Sequence, residues 1–113
     1  MGRALAKLRE EGVVIIGSGL SYHNLRLFGP QAKEPSTIFD AWLHDTLKQA
    51  PEARTASIID WTRAPYARIC HQHEDHLVPL FVALGAAEED AATRIYHDQN
   101  LFGGVTASSY RFG

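Results

Sequence analysis

The sequence predicts an α/β fold, a central and mostly parallel sheet flanked by helices, on three observations. Val13-Val14-Ile15-Ile16 is a continuous β-branched run, the pattern of a strand buried on both faces. Gly17-Ser18-Gly19 breaks that strand into a loop at its carboxyl end. Segments with helical periodicity lie before and after it, and that order favours α/β layering.

Taken in order, Ala4, Leu5 and Leu8 share one face of a short first helix, with a stop at Glu11-Gly12. The buried strand and its glycine loop follow, and Gly29 to Pro35 reads as loop. From Ser36 a helix is expected, because Phe39, Trp42, Leu43 and Leu47 recur at helical spacing; Pro51 ends it. A further helix runs from about Glu52 through Ile58, Ile59 and Trp61 and stops before Pro65. Another starts near Glu74, runs through Leu84 and is capped by Gly85. It is apolar nearly all round, which predicts burial, and Pro79 is tolerable only near its N-terminus. Beyond Gly103-Gly104, Thr106, Ser108, Tyr110 and Phe112 alternate with Val105, Ala107, Ser109 and Arg111 as in a strand. With no repeat, linker or low-complexity tract, residues 1–113 read as a single domain or one piece of a larger one.

Composition narrows the function classes. The 113 residues are 45% hydrophobic and 21% charged, an ordinary globular mix. Eleven basic against thirteen acidic residues give −2, so there is no electrostatic footprint for nucleic acid. No apolar run is long enough to span a bilayer, and Met1 to Glu11 lacks signal-peptide features, so no membrane partner is expected. Cys70 is the sole cysteine, which excludes an internal disulfide and favours a reducing, cytoplasmic setting.

Two of the histidine settings favour chemistry. His23 lies in Gly17-Ser18-Gly19-Leu20-Ser21-Tyr22-His23-Asn24, just past the carboxyl end of the expected strand, where open α/β sheets bind ligands. The alternative is a loop histidine satisfied by backbone or solvent. A dinucleotide fingerprint is not met, since Tyr22 stands where a glycine is needed; nor is a nucleophile elbow. The second setting is His71-Gln72-His73-Glu74-Asp75-His76, dense in imidazoles and carboxylates that suit a transition metal. Its alternative is a solvated helix N-terminus, where Glu74 and Asp75 are favoured by the macrodipole. His73 and His76 could share a helix face, and His76, heading an apolar helix, is expected to point inward with Leu80 and Ala83, needing a polar partner. The hexapeptide also resembles the H-x-H-x-D-H zinc motif of metallo-β-lactamase-like hydrolases. Against that reading, only 37 residues follow His76, with His97 and Asp98 the sole obvious candidates for further ligands, and Leu77-Val78-Pro79-Leu80 stands where those hydrolases usually have a glycine.

Three segments in order resemble the class III extradiol ring-cleavage dioxygenases, the LigB-type superfamily, and in particular its DOPA-dioxygenase-like branch. Ser18-Gly19-Leu20-Ser21-Tyr22-His23-Asn24-Leu25-Arg26 resembles the family's S-G-x-x-x-H-N-L-R. Glu74 to Leu80, continuing to Gly85-Ala86-Ala87, is similar to H-P-x-E-E-H-L-x-P-L followed by L-G-A-A, and Ser108-Ser109-Tyr110-Arg111-Phe112 to the closing strand that ends S-Y-R-F. Gln72 replaces proline, His73 a commonly basic residue and Asp75 a glutamate. The resemblance implies the C-terminal part of the dioxygenase fold, with two further ligating histidines supplied by an N-terminal half.

It also implies that His76 is a metal ligand and that His23 is a further ligand or the catalytic acid/base. Ser18, Asn24 and His71 fall in substrate-binding or supporting positions. The implied cofactor is Fe(II), with Zn(II) as the alternative, and the implied substrates are a small aromatic diol and O2. A different reading is a non-catalytic truncated or split segment that associates with an N-terminal half or with another copy of itself, since half an α/β sheet leaves apolar edges uncovered.

Overall fold

The computed structural model describes residues 1–113. Helix α1 spans Gly2–Glu10, α2 Lys33–Leu47, α3 Pro51–Ile59, α4 Ala67–Cys70 and α5 Val78–Ala86. Short 3-10 turns at Gly29–Ala32 and Trp61–Arg63 lead into α2 and α4. Strands β1 (Ala92–Leu101) and β2 (Val105–Phe112) form a two-stranded antiparallel hairpin. The result is α/β, but the sheet is antiparallel and two-stranded rather than central and mostly parallel.

The difference traces to Val13–Ile16. These residues form no strand, and Val14 and Ile16 are 80% and 83% exposed. A strand exists only where its N–H and C=O groups find a neighbouring edge. No backbone group of Val14 to Gly19 is paired.

The helices follow their sequence signals closely. Helix α1 ends where expected, with Gly12 at φ 82° after it. Helix α2 begins three residues before Ser36, and α3 starts on Pro51, whose fixed φ and missing N–H suit a first helical position. Pro79 likewise lies in the first turn of α5. That helix starts four residues later than expected and includes Gly85 rather than stopping at it. The reason is local: the Leu77 and Val78 N–H groups both donate to the Glu74 carbonyl, holding Glu74 to Leu77 as a turn. Gly85 serves packing instead, since a Cβ there would lie 2.9 Å from the Gly2 Cα of α1. Nor is α5 fully buried: of its residues only Leu84 and Ala86 are, and Val78 is exposed.

The main core joins Phe39 of α2, Trp61, Cys70, Leu77 and Tyr22 to Val105 and Ala107 of β2. A second cluster packs Leu43 and Leu47 against Ile58 and Leu84. Arg54 is almost wholly buried and donates to the carbonyls of Leu47, Glu88 and Asp90, tying α3 to the chain between α5 and β1. No helix is long and apolar enough to cross a membrane.

A candidate histidine half-site

The loop from Gly17 to Asn24 is stitched to the chain around residues 69–76 by backbone contacts. Leu20 N–H donates to the His76 carbonyl at 3.0 Å, and His23 N–H to the Cys70 carbonyl at 3.0 Å. His23 and His71 form an isolated parallel bridge. The glycines permit this approach: a Cβ on Gly19 would come within 2.2 Å of the His76 carbonyl oxygen, and one on Gly17 within 2.2 Å of that of Pro79. Asn24 adds a side-chain pin, its Nδ2 donating to the Ile69 carbonyl at 2.7 Å while its Oδ1 accepts from Arg26 N–H. Both ends of that amide are therefore committed to the fold.

This stitching brings His23 and His76 together. Their imidazoles stack with centroids 3.5 Å apart and planes 16° from parallel. His76 does not point into the core: its side chain is 43% exposed, with Asp75 Oδ2 3.6 Å from Nε2. It stands in the turn before α5, so no helix face is shared with His73, which is exposed. Ser18 is also exposed and makes no hydrogen bond within the chain.

His71 lies beneath, fully buried between Phe39 and Trp61. Its Nε2 is 2.9 Å from the Ser21 carbonyl oxygen. A carbonyl only accepts, so Nε2 carries the proton and Nδ1 keeps its lone pair, with no partner. Burial lowers the His71 pKa, with neighbouring His23 and His76 acting in the same direction against the Ser21 bond. Nearby, burial pushes the Tyr22 phenol up to about 12 and the Cys70 thiol up to about 12.

Imidazoles at this spacing suit a transition metal, but no group of three or more His, Cys, Asp or Glu side chains is arranged to hold one. His71, His73 and His76 therefore do not form the zinc cradle that their sequence pattern resembles. The stacked His23 and His76 bring only two such side chains together. Ser21 went unremarked in the sequence yet organises the centre: its carbonyl fixes His71, and its Oγ accepts from Ser108 N–H at 3.0 Å. No local pattern marks such a residue, because both partners are distant in sequence.

The whole chain, residues 1–113, matches the family model described as the catalytic LigB subunit of aromatic ring-opening dioxygenase. The chain belongs to this family. It is 33% identical over 99% of its length to a 4,5-DOPA dioxygenase extradiol of Beta vulgaris, and 37% identical over 99% to one of Mirabilis jalapa. It covers 42% and 43% of those two proteins, so this LigB-family chain spans less than half the length of the relatives it matches. The crystal structure of the uncharacterized protein JW3007 from Escherichia coli K12 shares the fold, with a TM-score of 0.83 at 24% identity over 99% of this chain and 48% of that one.

Proposed function

We propose that this chain supplies the His23–His76 half of the metal site of an extradiol dioxygenase that opens a catechol-type ring with O2. The remaining ligands would come from an N-terminal half. The stacked His23–His76 pair carries the reading, because two residues from the two family-like motifs meet at one point. The relatives are extradiol dioxygenases, and their greater length leaves room for the missing ligands.

His76 and His23 would hold the ion, Fe(II) in preference to Zn(II) because ring cleavage by O2 needs a metal that passes electrons, which zinc does not. When bound, the ion supplies a common centre for diol and O2 and a path for electrons between them. The protein's part is to place groups and move protons. The Gly17–Asn24 stitching fixes the His23 backbone, and the pinned His76 carbonyl fixes its neighbour. Held off the ion instead, the His23 imidazole can accept the diol proton and return it as the ring opens, a general acid–base role that is the alternative to ligation. Both oxygen atoms of O2 enter the product, a ring-opened semialdehyde acid. The single free cysteine suits a reducing, cytoplasmic compartment.

The test is anaerobic Fe(II) and Zn(II) titration of the chain together with the N-terminal half of a relative, followed by a ring-cleavage assay. His23→Ala should weaken binding and abolish turnover while leaving the thermal midpoint near that of the parent. His71→Ala/His73→Ala should spare the metal-binding pair, though it lowers stability through His71. Unchanged turnover in His23→Ala sinks the acid–base role. Binding that follows His73 and ignores His23 sinks the site.

A further inference from the structure

A groove of about 770 Å³ separates residues 12–21 from β2, with α5 as its floor. It is lined mainly by apolar side chains, including Val14, Ile16, Leu80, Ala83 and Ile95, and it reaches His76 at one end. Each long side presents an unpaired backbone edge. On the loop side, no N–H or C=O from Val14 to Gly19 has a backbone partner.

On the β2 side the alternation settles which groups face outward. Gly113 N–H donates inward to the Ala91 carbonyl, while the Thr106 and Ser108 N–H groups turn outward to Ser36 Oγ and Ser21 Oγ. By the two-residue period, Tyr110 and Phe112 turn their N–H groups outward too, and both line the groove. The two edges run in opposite directions. They close at one end through Ser108 and Ser21, and at the other through Arg9 and Asp90 beside Gly113.

We propose that this groove takes up an extended apolar strand from the polypeptide that completes the LigB fold, pairing with Val14–Gly17 on one side and with Tyr110 and Phe112 on the other. Three independent features favour that occupant. The Val14–Ile16 run has the β-branched residue types of a strand, and its backbone is unpaired. Helix α5 is apolar on all sides yet only partly covered, and its uncovered side is the groove floor. The relatives contain more than as many residues again as this chain, enough to supply the strand. Main-chain bonds would give affinity and the apolar walls would select side chains, as in strand addition generally. The proposal rests on the reading that an N-terminal half completes the site, and it adds where and how that half enters. Because the groove ends at His76, the incoming strand would deliver its own residues beside the histidine pair.

The experiment co-expresses this chain with the part of the Mirabilis jalapa relative outside the matched 43% and follows complex formation by sedimentation and amide hydrogen exchange. In the complex, the amides of Val14 to Gly17, Tyr110 and Phe112 should exchange at least about tenfold more slowly than in the chain alone, as newly bonded N–H groups do. Ile16→Pro, at an exposed position, removes one pairing N–H and should weaken the complex by about tenfold or more. A complex that leaves these amides unprotected overturns the proposal, as does failure to form one. Protection of the same amides in a homodimer of this chain alone also overturns it, in favour of a second copy. Protection without metal binding or ring cleavage sinks the functional reading and leaves the groove's assignment standing; ring cleavage without protection does the reverse.

Discussion

Two neighbouring stretches of one loop behave in opposite ways. From Gly19 to Asn24 the chain is pinned by Leu20, Ser21, His23 and Asn24 to residues 69–76 and 108. From Val14 to Gly17 it runs beside α5 with its backbone unpaired, and Val14 and Ile16 turn their side chains to solvent. The contrast separates two tasks. The histidine pair is positioned by contacts wholly inside this chain, so its geometry does not wait for a partner. The strand that precedes it lacks neighbours and so lacks strand structure.

Breaking the pinned side should have the largest effect. Gly19→Val places a branched side chain where even a Cβ would come within 2.2 Å of the His76 carbonyl. The backbone must part, losing the Leu20–His76 bond. A loss of about 1–3 kcal/mol is expected, the range for forced overpacking, read as a lower urea midpoint. The His23–His76 stacking should go with it, seen as separation of the two imidazole environments by NMR. Retained stability would mean that the close approach is not what holds the site.

A smaller effect probes the pinned side through pH. The folded pKa of His71 is depressed below its ordinary 6.5 by burial. The unfolded chain therefore takes up a proton that the folded one refuses. The contribution is fully present above about pH 6.5 and is lost as pH falls from there through the lowered folded value. His71→Gln retains an N–H donor for the Ser21 carbonyl and removes the titration. Between pH 7.5 and 5 the parent should lose stability relative to this variant by up to about 1.4 kcal/mol per pH unit, the limit for a single proton. His44, also lowered chiefly by burial, titrates in both proteins and cancels in the difference. Parallel pH profiles would show that His71 does not carry the acid sensitivity.

How far the sequence disclosed these features follows the range of the interactions involved. Helices α2 and α3 and strand β2 declared themselves through periodicity and proline, which act within a few residues. Strand β1 did not, because Ala92–Leu101 is mostly polar and exposed, and its pairing shifts between Arg94 and Tyr96 and again between Asp98 and Leu101, which interrupts alternation. The start of α5 was misplaced because two bonds to the Glu74 carbonyl hold a turn there. His23 and His76 were legible through their motifs, and the structure joins them. The expected inward turn of His76 was not met, since burial depends on covering surfaces that a local pattern does not describe. Ser21 was invisible for the same reason, its bonds reaching His71 and Ser108.

The smallest effect belongs to the open side, and its smallness is the point. Ile16 is 83% exposed, and its backbone is unpaired. In the chain alone, Ile16→Ser removes a side chain that buries little and touches no pinned contact, so stability should stay within about 0.5 kcal/mol of the parent. The urea midpoint should barely move, and solubility should rise as an exposed branched residue is lost from an unpaired edge. A buried strand would respond quite differently, since trading a fully buried isoleucine for serine forfeits about 2 kcal/mol or more of apolar transfer and strands a hydroxyl. The same substitution thus measures whether Val13–Ile16 is covered. A near-zero cost in the chain alone that becomes a large one in the presence of an N-terminal half would place the segment in a completed sheet, while a large cost in the chain alone would mean that the edge is already closed by another copy.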